Sequence, residues 1–253
     1  MITSEQLIEI CQENDNLEFI FKDEKPRILA SFYDISDVEI STLFYCWINP
    51  IKNDDISDAR NKIFQIWLRS DEDFVENRYP LSFIESRVWE KYKDNISTLY
   101  KHYDMNSFYY LCCKIHFYYV KENLKSIEDA FLITHRTLNT DKYYHNTLCR
   151  MFGGNTQIQN EKNSGACANL NMILKYLVWD LKLWKKLDKK KLLIPLTYKI
   201  TLAAKELLII NNTTNTLANS IKITEFAKDL LGEDDFMKIY AGLLYYYQTN
   251  IQK

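Results

Sequence analysis

Turn-forming residues are scarce in this sequence. It has only five glycines and four prolines in 253 residues, where average usage would supply about 30. That shortage excludes collagen-like, glycine-rich and low-complexity chains. It also argues against a sandwich or barrel of many short strands, which needs a turn every 8–12 residues or so. Long apolar runs are missing too. The longest, Leu43 to Ile48 and Ile239 to Tyr247, are far below the roughly 20 residues that span a bilayer. Met1 to Glu13 lacks the basic–apolar–small pattern of a secretory leader. The six cysteines contain no C-x-x-C pair, so neither a disulfide framework nor a zinc ribbon is indicated. The expected setting is cytoplasmic and reducing, with no membrane contact. No G-x-x-x-x-G-K-[ST], G-x-G-x-x-G, G-x-S-x-G or H-E-x-x-H motif occurs, which removes the usual support for an ATPase, a Rossmann enzyme, a hydrolase or a zincin.

What the sequence does have is apolar and aromatic mass. Hydrophobic residues make up 47% and aromatics 14%, enough to exclude global disorder. Helix signals recur almost end to end. Ser36-Asp-Val-Glu39 and Ser126-Ile-Glu-Asp129 read as capping boxes, in which two orphan backbone donors are satisfied reciprocally. Apolar residues at three- and four-residue spacing predict amphipathic helices over Leu81–Tyr100, Met105–Val120, Asn163–Trp179, Leu196–Ile210, Ser220–Leu231 and Asp234–Gln248. The fold class expected is all-α. Residues 1–253 are expected to form one helical unit with two subdomains, containing a helix-turn-helix block at 163–210. Phe152–Gly165 and Asn211–Asn219 read as loops.

Net charge is only −2, but it is unevenly spread. Residues 1–100 carry 11 Lys/Arg against 20 Asp/Glu, and residues 162–205 carry ten Lys against two Asp. An acidic region and a basic one suggest two faces with different duties. The basic block is densest at Lys182, Lys185, Lys186, Lys189, Lys190 and Lys191, interrupted by Trp184. Lysines beside a helix junction neutralise phosphates without reading bases. A solvated surface turn and an acidic protein partner account for the same residues. Tyr176, Trp179 and Trp184 read as core aromatics. Cys113 and His116, three apart, lack two further metal ligands, and no metal or other cofactor is expected. Cys167, at the expected start of a helix, reads as a buried structural thiol.

The segment Asn163 to Glu206, NSGACANLNMILKYLVWDLKLWKKLDKKKLLIPLTYKITLAAKE, resembles the most recognisable stretch of a bacterial family, the domain-of-unknown-function 2400 family. Its pattern runs S-A-C-K-R-L-N-M-F-L-R-W-M-V, an Asp/Gly-x-W turn, then L-I-I-P-L-D-x-H and a helix. Ala166-Cys167, Leu170-Asn171-Met172, Leu174, Trp184 and Leu193-Ile194-Pro195-Leu196 carry the match. Ser36–Ile40, Asp73–Val75 and Ser126–Phe131 extend it over roughly residues 27–247.

The family's P-L-D-x-H followed by a helix is in turn similar to the end of the helix-hairpin-helix of base-excision DNA glycosylases. That likeness implies a two-subdomain helical fold of the helix-hairpin-helix glycosylase superfamily, phosphates gripped by the hairpin, and a base flipped into a pocket. In that superfamily an Asp serves the chemistry at the position held here by Thr197, and the family's His is Lys199. A threonine hydroxyl carries no charge near neutral pH. The resemblance therefore implies a divergent glycosylase-like protein that binds nucleic acid, DNA first, through Lys182, Lys185, Lys186, Lys189, Lys190, Lys191 and Lys199, with base excision lost or weak. An active glycosylase or lyase with a relocated acid is the alternative within that class. A helical protein-interaction module is the alternative outside it.

Overall fold

A computed structural model describes residues 2–15, 38–43, 80–87, 89–90, 98–100, 103–138, 142–152 and 165–252. In chain order its helices are α1 (Ser4–Asn14), α2 (residues 38–43) and α3 (Pro80–Glu85), then α4 (Met105–His116), α5 (Ile127–Leu138), α6 (His145–Phe152) and α7 (Ala168–Leu174), and finally α8 (Tyr198–Glu206), α9 (Leu217–Leu231) and α10 (Ile239–Tyr246). α4, α7 and α10 each run on into a π-helical turn, at Phe117–Lys121, Lys175–Asp180 and Tyr247–Ile251. The described strands are two, β1 (Thr98–Tyr100) and β2 (Tyr103–Asp104), paired antiparallel. Among the described residues the chain is all-α apart from this small hairpin. No described helix is long and apolar enough to cross a membrane.

The helix starts follow local chemistry. Thr3 and Gln6 form a full capping box at α1, with Gln6 N–H donating to Thr3 Oγ1 at 3.2 Å and Thr3 N–H donating to Gln6 Oε1 at 2.9 Å. Ser126 caps α5 as its box predicts, accepting from Asp129 N–H at 3.2 Å. Thr216 caps α9. The single helix expected over Leu81–Tyr100 is a correction: α3 stops at Glu85, and residues 98–100 are strand. Ser86 Oγ donates back to the Phe83 carbonyl, and Arg87 adopts a left-handed φ of 57°. Those local bonds end the helix where apolar spacing alone would continue it. Ser36 and most of the Phe152–Gly165 loop lie outside the described residues.

The chain divides into two compact units. One comprises Met1–Glu24, Asp141–Asn146 and Asn160–Lys253, and the other Lys25–Thr140 and Thr147–Gln159. In the first, α10 is the central element, packed by α1 and α8. Gly242 of α10 faces Cys11 of α1, and a Cβ there would lie 2.3 Å from Cys11 Sγ. The missing side chain is what lets the two helices approach. Fully buried Ile200, Ile223, Phe236, Ile239 and Leu243 fill this core.

The second unit buries Ile40, Leu43, Phe83, Ile84, Ile115 and Phe131 completely. Its buried Glu39 is the polar centre. The carboxylate accepts from Ile127 N–H at 3.1 Å, from Glu128 N–H at 3.2 Å and from the Tyr119 hydroxyl. A negative charge against the first N–H groups of α5 matches the helix dipole. Glu39 thus caps a helix nearly 90 residues further along the chain.

Candidate functional site

The first unit contains a cavity of about 450 Å³. The C-terminus of α1, the π-turn after α7 and the segment before α10 surround it. Asp15, Val178, Trp179 and Asp180 line its wall, and Lys182, Lys189, Asp234, Asp235 and Lys238 complete it. It unites the lysine block with carboxylates from three separate stretches of chain.

Asp180 is held by geometry that an α-helix would not provide. Lys175 and Asp180 are five residues apart, and the π-turn brings them onto one side. Lys175 Nζ donates to Asp180 Oδ2 at 2.5 Å, with both side chains 1% exposed. Lys175 Nζ also lies 4.9 Å from the Tyr240 ring centroid and 5.6 Å from that of Tyr176. Two aromatic faces and one carboxylate compensate a cation buried in the core. Burial raises the Asp180 carboxyl above its ordinary range, and the Lys175 ammonium opposes that rise.

Asp15 ends α1. Burial raises its carboxyl too, Lys238, Lys175 and Lys182 oppose the rise, and Asp235 adds to it. The C-terminal end of α1 is an unfavourable place for negative charge, because the helix dipole is negative there. Trp179 packs edge-on against Phe236 at 5.8 Å, and Lys189 Nζ stands 5.6 Å from the Trp179 centroid.

The lysine block divides between this cavity and the surrounding surface. Lys182 is exposed and carries a left-handed φ of 52°. A left-handed φ is uncommon for a residue other than glycine, asparagine or aspartate. Lys185 and Lys186 are exposed between the buried Trp184 and Leu187. Lys189 pairs with Asp234 at 3.1 Å and Lys190 with Glu233 at 2.8 Å, both on the surface. Lys191 Nζ lies 5.8 Å from the Tyr144 ring. The three lie on a short 3-10 turn capped by Asp188, whose Oδ1 accepts from Lys190 N–H at 3.0 Å.

Thr197 and Lys199 do not line the cavity. Thr197 is the N-cap of α8, its Oγ1 accepting from Ile200 N–H at 3.4 Å. Threonine is a favoured N-cap, and aspartate would serve the same helix start. Lys199 is exposed, 5.9 Å from the Tyr247 ring.

Cys167 begins α7 at a left-handed φ of 45°, and its buried Sγ lies 4.0 Å from His145 Nε2. The histidine comes from 22 residues away, so sequence spacing alone could not pair them. Cys149 lies one turn beyond His145 on α6 and falls in the second unit. No further ligand-type side chain joins Cys113 and His116 among the described residues.

Sequence reading missed Asp15, Asp234, Asp235 and Lys238 because acids and lysines cover any helical surface. Trp179 was read as core, and the five-residue Lys175–Asp180 spacing matches no α-helical face. No curated protein and no solved structure matches the chain. The model of one family covers residues 26–239, which include every cavity residue except Asp15. The chain therefore belongs to the family described as protein of unknown function (DUF2400).

Proposed function

We propose that the protein binds nucleic acid through the 182–191 lysine segment, as a divergent relative of helix-hairpin-helix DNA glycosylases that has lost efficient base excision. One observation carries the reading: Lys182 and Lys189 of the basic block stand at the cavity that also presents Trp179, Asp15 and Asp180. Lysines beside a cavity with an aromatic wall suit a phosphate backbone passing over a pocket for one base. The cavity volume falls in the range of small-molecule sites, about 300–1,000 Å³. The surface pairs Lys189–Asp234 and Lys190–Glu233 do not oppose this, since exposed ion pairs are worth about 0–1 kcal/mol and exchange readily. With Thr197 serving as a cap, the glycosylase-like position has no carboxylate, and loss of one positioned catalytic group typically costs about 10²–10⁴ in rate.

A second reading within the same class is favoured by Asp180. It is a buried carboxylate at the cavity, beside a lysine amine at 2.5 Å, and could supply the acid that Thr197 lacks. One experiment separates the two. The purified chain is titrated against intact duplex, abasic duplex and single-stranded DNA at two salt concentrations, and incubated with oligonucleotides carrying oxidised, alkylated or deaminated bases. Salt-sensitive binding without excision supports the first reading. Excision abolished by Asp180→Asn in a folded variant supports the second. Absence of DNA binding at low salt overturns both and moves an acidic protein partner into first place.

A further inference from the structure

We infer that Cys167 and His145 hold a soft monovalent metal ion, Cu(I), between the cysteine sulfur and the histidine Nε2. The inference stands apart from the nucleic-acid reading and uses neither the cavity nor the lysine block.

Its basis is two ligand atoms and their separation. Both residues belong to the first unit. Both are 5% exposed, and Cys167 is outside any disulfide. Cys167 Sγ and His145 Nε2 lie 4.0 Å apart, which is long for a hydrogen bond to sulfur. A metal ion asks for a wider spacing. With bonds of about 2.3 Å to thiolate and about 2.0 Å to imidazole, two ligand atoms stand about 3.5 Å apart at a tetrahedral angle and about 4.3 Å apart in line. The observed separation falls inside that interval. The bonds of two-coordinate Cu(I) are shorter, which moves its in-line span toward the observed value.

The donor types choose the ion. Soft thiolate selects Cu(I) and zinc, and imidazole accepts either. Zinc takes four protein ligands in structural sites and three in catalytic ones. Among the described residues of the first unit, Cys167 and His145 are the two ligand-type side chains at this point. Two donors suffice for Cu(I).

Both ligands are fixed in advance. Cys167 holds a left-handed φ of 45°. The residue before it is tied on both sides: Ala166 N–H donates to the Asn215 carbonyl at 3.3 Å, and Asn171 Nδ2 donates to the Ala166 carbonyl at 2.7 Å. Strained non-glycine backbone persists where its surroundings over-determine it, and it clusters at ligand clamps. His145 opens α6 directly after Tyr144. Tyr144 N–H donates to the Lys191 carbonyl at 3.2 Å, and its hydroxyl accepts from Asp188 N–H at 2.8 Å. On binding, S–Cu and N–Cu bonds form, the S–H bond breaks, and its proton goes to solvent. Copper stays Cu(I), and nothing is oxidised or reduced.

The test titrates the full chain with Cu(I) without oxygen, at neutral pH, against a chromogenic Cu(I) chelator. X-ray absorption is recorded on the wild-type complex at one equivalent. One tight equivalent is expected, with one sulfur and one nitrogen around the metal. Cys167→Ser and His145→Gln should each weaken binding by about a hundredfold or more, since even losing a residue that only supports a ligand costs about 10–100-fold. Cys113→Ser, which removes a thiol elsewhere, should leave the affinity unchanged. Circular dichroism checks the fold of each variant, and if the Cys167 or His145 variant unfolds the wild-type absorption spectrum carries the test. No tight equivalent, a shell of sulfur alone, a shell of three or more protein ligands, or unchanged affinity in a folded Cys167 or His145 variant overturns the inference. Displacement of Cu(I) by an equal concentration of Zn(II) overturns it as well.

Discussion

Single residues here serve needs that their chemical type does not announce. Asp15 is a half-buried carboxylate at a helix C-terminus, and its raised pKa means that its charged form is disfavoured in the folded state. That cost is absent below the ordinary value of 3.8 and fully present above the folded value. Asp15→Asn should therefore stabilise the protein at neutral pH by about half a kcal/mol, the scale of a helix-dipole interaction. The gain should vanish in melts run below about pH 3.8. A site residue whose removal stabilises the fold is what a binding role predicts. Thr197 makes the opposite case. Thr197→Ala should cost about 1 kcal/mol in denaturant titration, whereas Thr197→Asp should cost almost nothing because aspartate caps equally well. Gly242→Ala must push against Cys11 Sγ, and overpacking of this kind costs about 1–3 kcal/mol. Adding Cys11→Ala should recover part of that loss in a double-mutant cycle, because the two sites are in contact.

At the scale of elements, irregular turns build the site. The π-turn after α7 places Lys175 and Asp180 together, and the left-handed Lys182 that follows turns the chain toward the lysine block. Regular α-helix through Asp180 would have separated the ion pair. In the second unit α5 depends on a distant carboxylate. Glu39→Gln removes its charge and offers an amide donor to N–H groups that are themselves donors. Hydrogen bonds to charged groups are worth about 1.5–3 kcal/mol each, so a loss in that range is expected in chemical denaturation. Glu39→Asp should lose comparably, since the shorter side chain cannot reach both Ile127 and Glu128 N–H. Sequence inspection located Glu39 as a helix-start acid and Ser126 as a cap. It could not show that Glu39 serves α5, because a contact across more than 80 residues leaves no local periodicity.

For the whole molecule, the uneven charge is the property with consequences in solution. Replacing Lys189, Lys190 and Lys191 with Gln should leave the melting profile nearly unchanged, since the three are surface or half-buried lysines in weak pairs. In duplex DNA titrations it should weaken binding similarly for all sequences. The slope of log affinity against log salt should flatten by about 0.9 for each true phosphate contact, up to about three units. An unchanged slope with an intact fold would remove these lysines from the interface. Far-ultraviolet circular dichroism should be dominated by helix, with at most the small β1–β2 signal.

The sequence by itself determined the all-α class, the helix starts at Ser126 and Cys167, the basic block and membership of the family, because capping, apolar spacing and charge density are local and leave local marks. Tertiary structure alone decided the rest. It decided that Lys175 and Asp180 pair through a π-turn, that His145 meets Cys167, and that Asp15 joins Asp180 and Lys182 at one cavity. The physical reason is common to all three. A polar or titratable side chain looks the same in sequence whether water or protein surrounds it, and only packing brings its partners and removes the water that would otherwise make it ordinary.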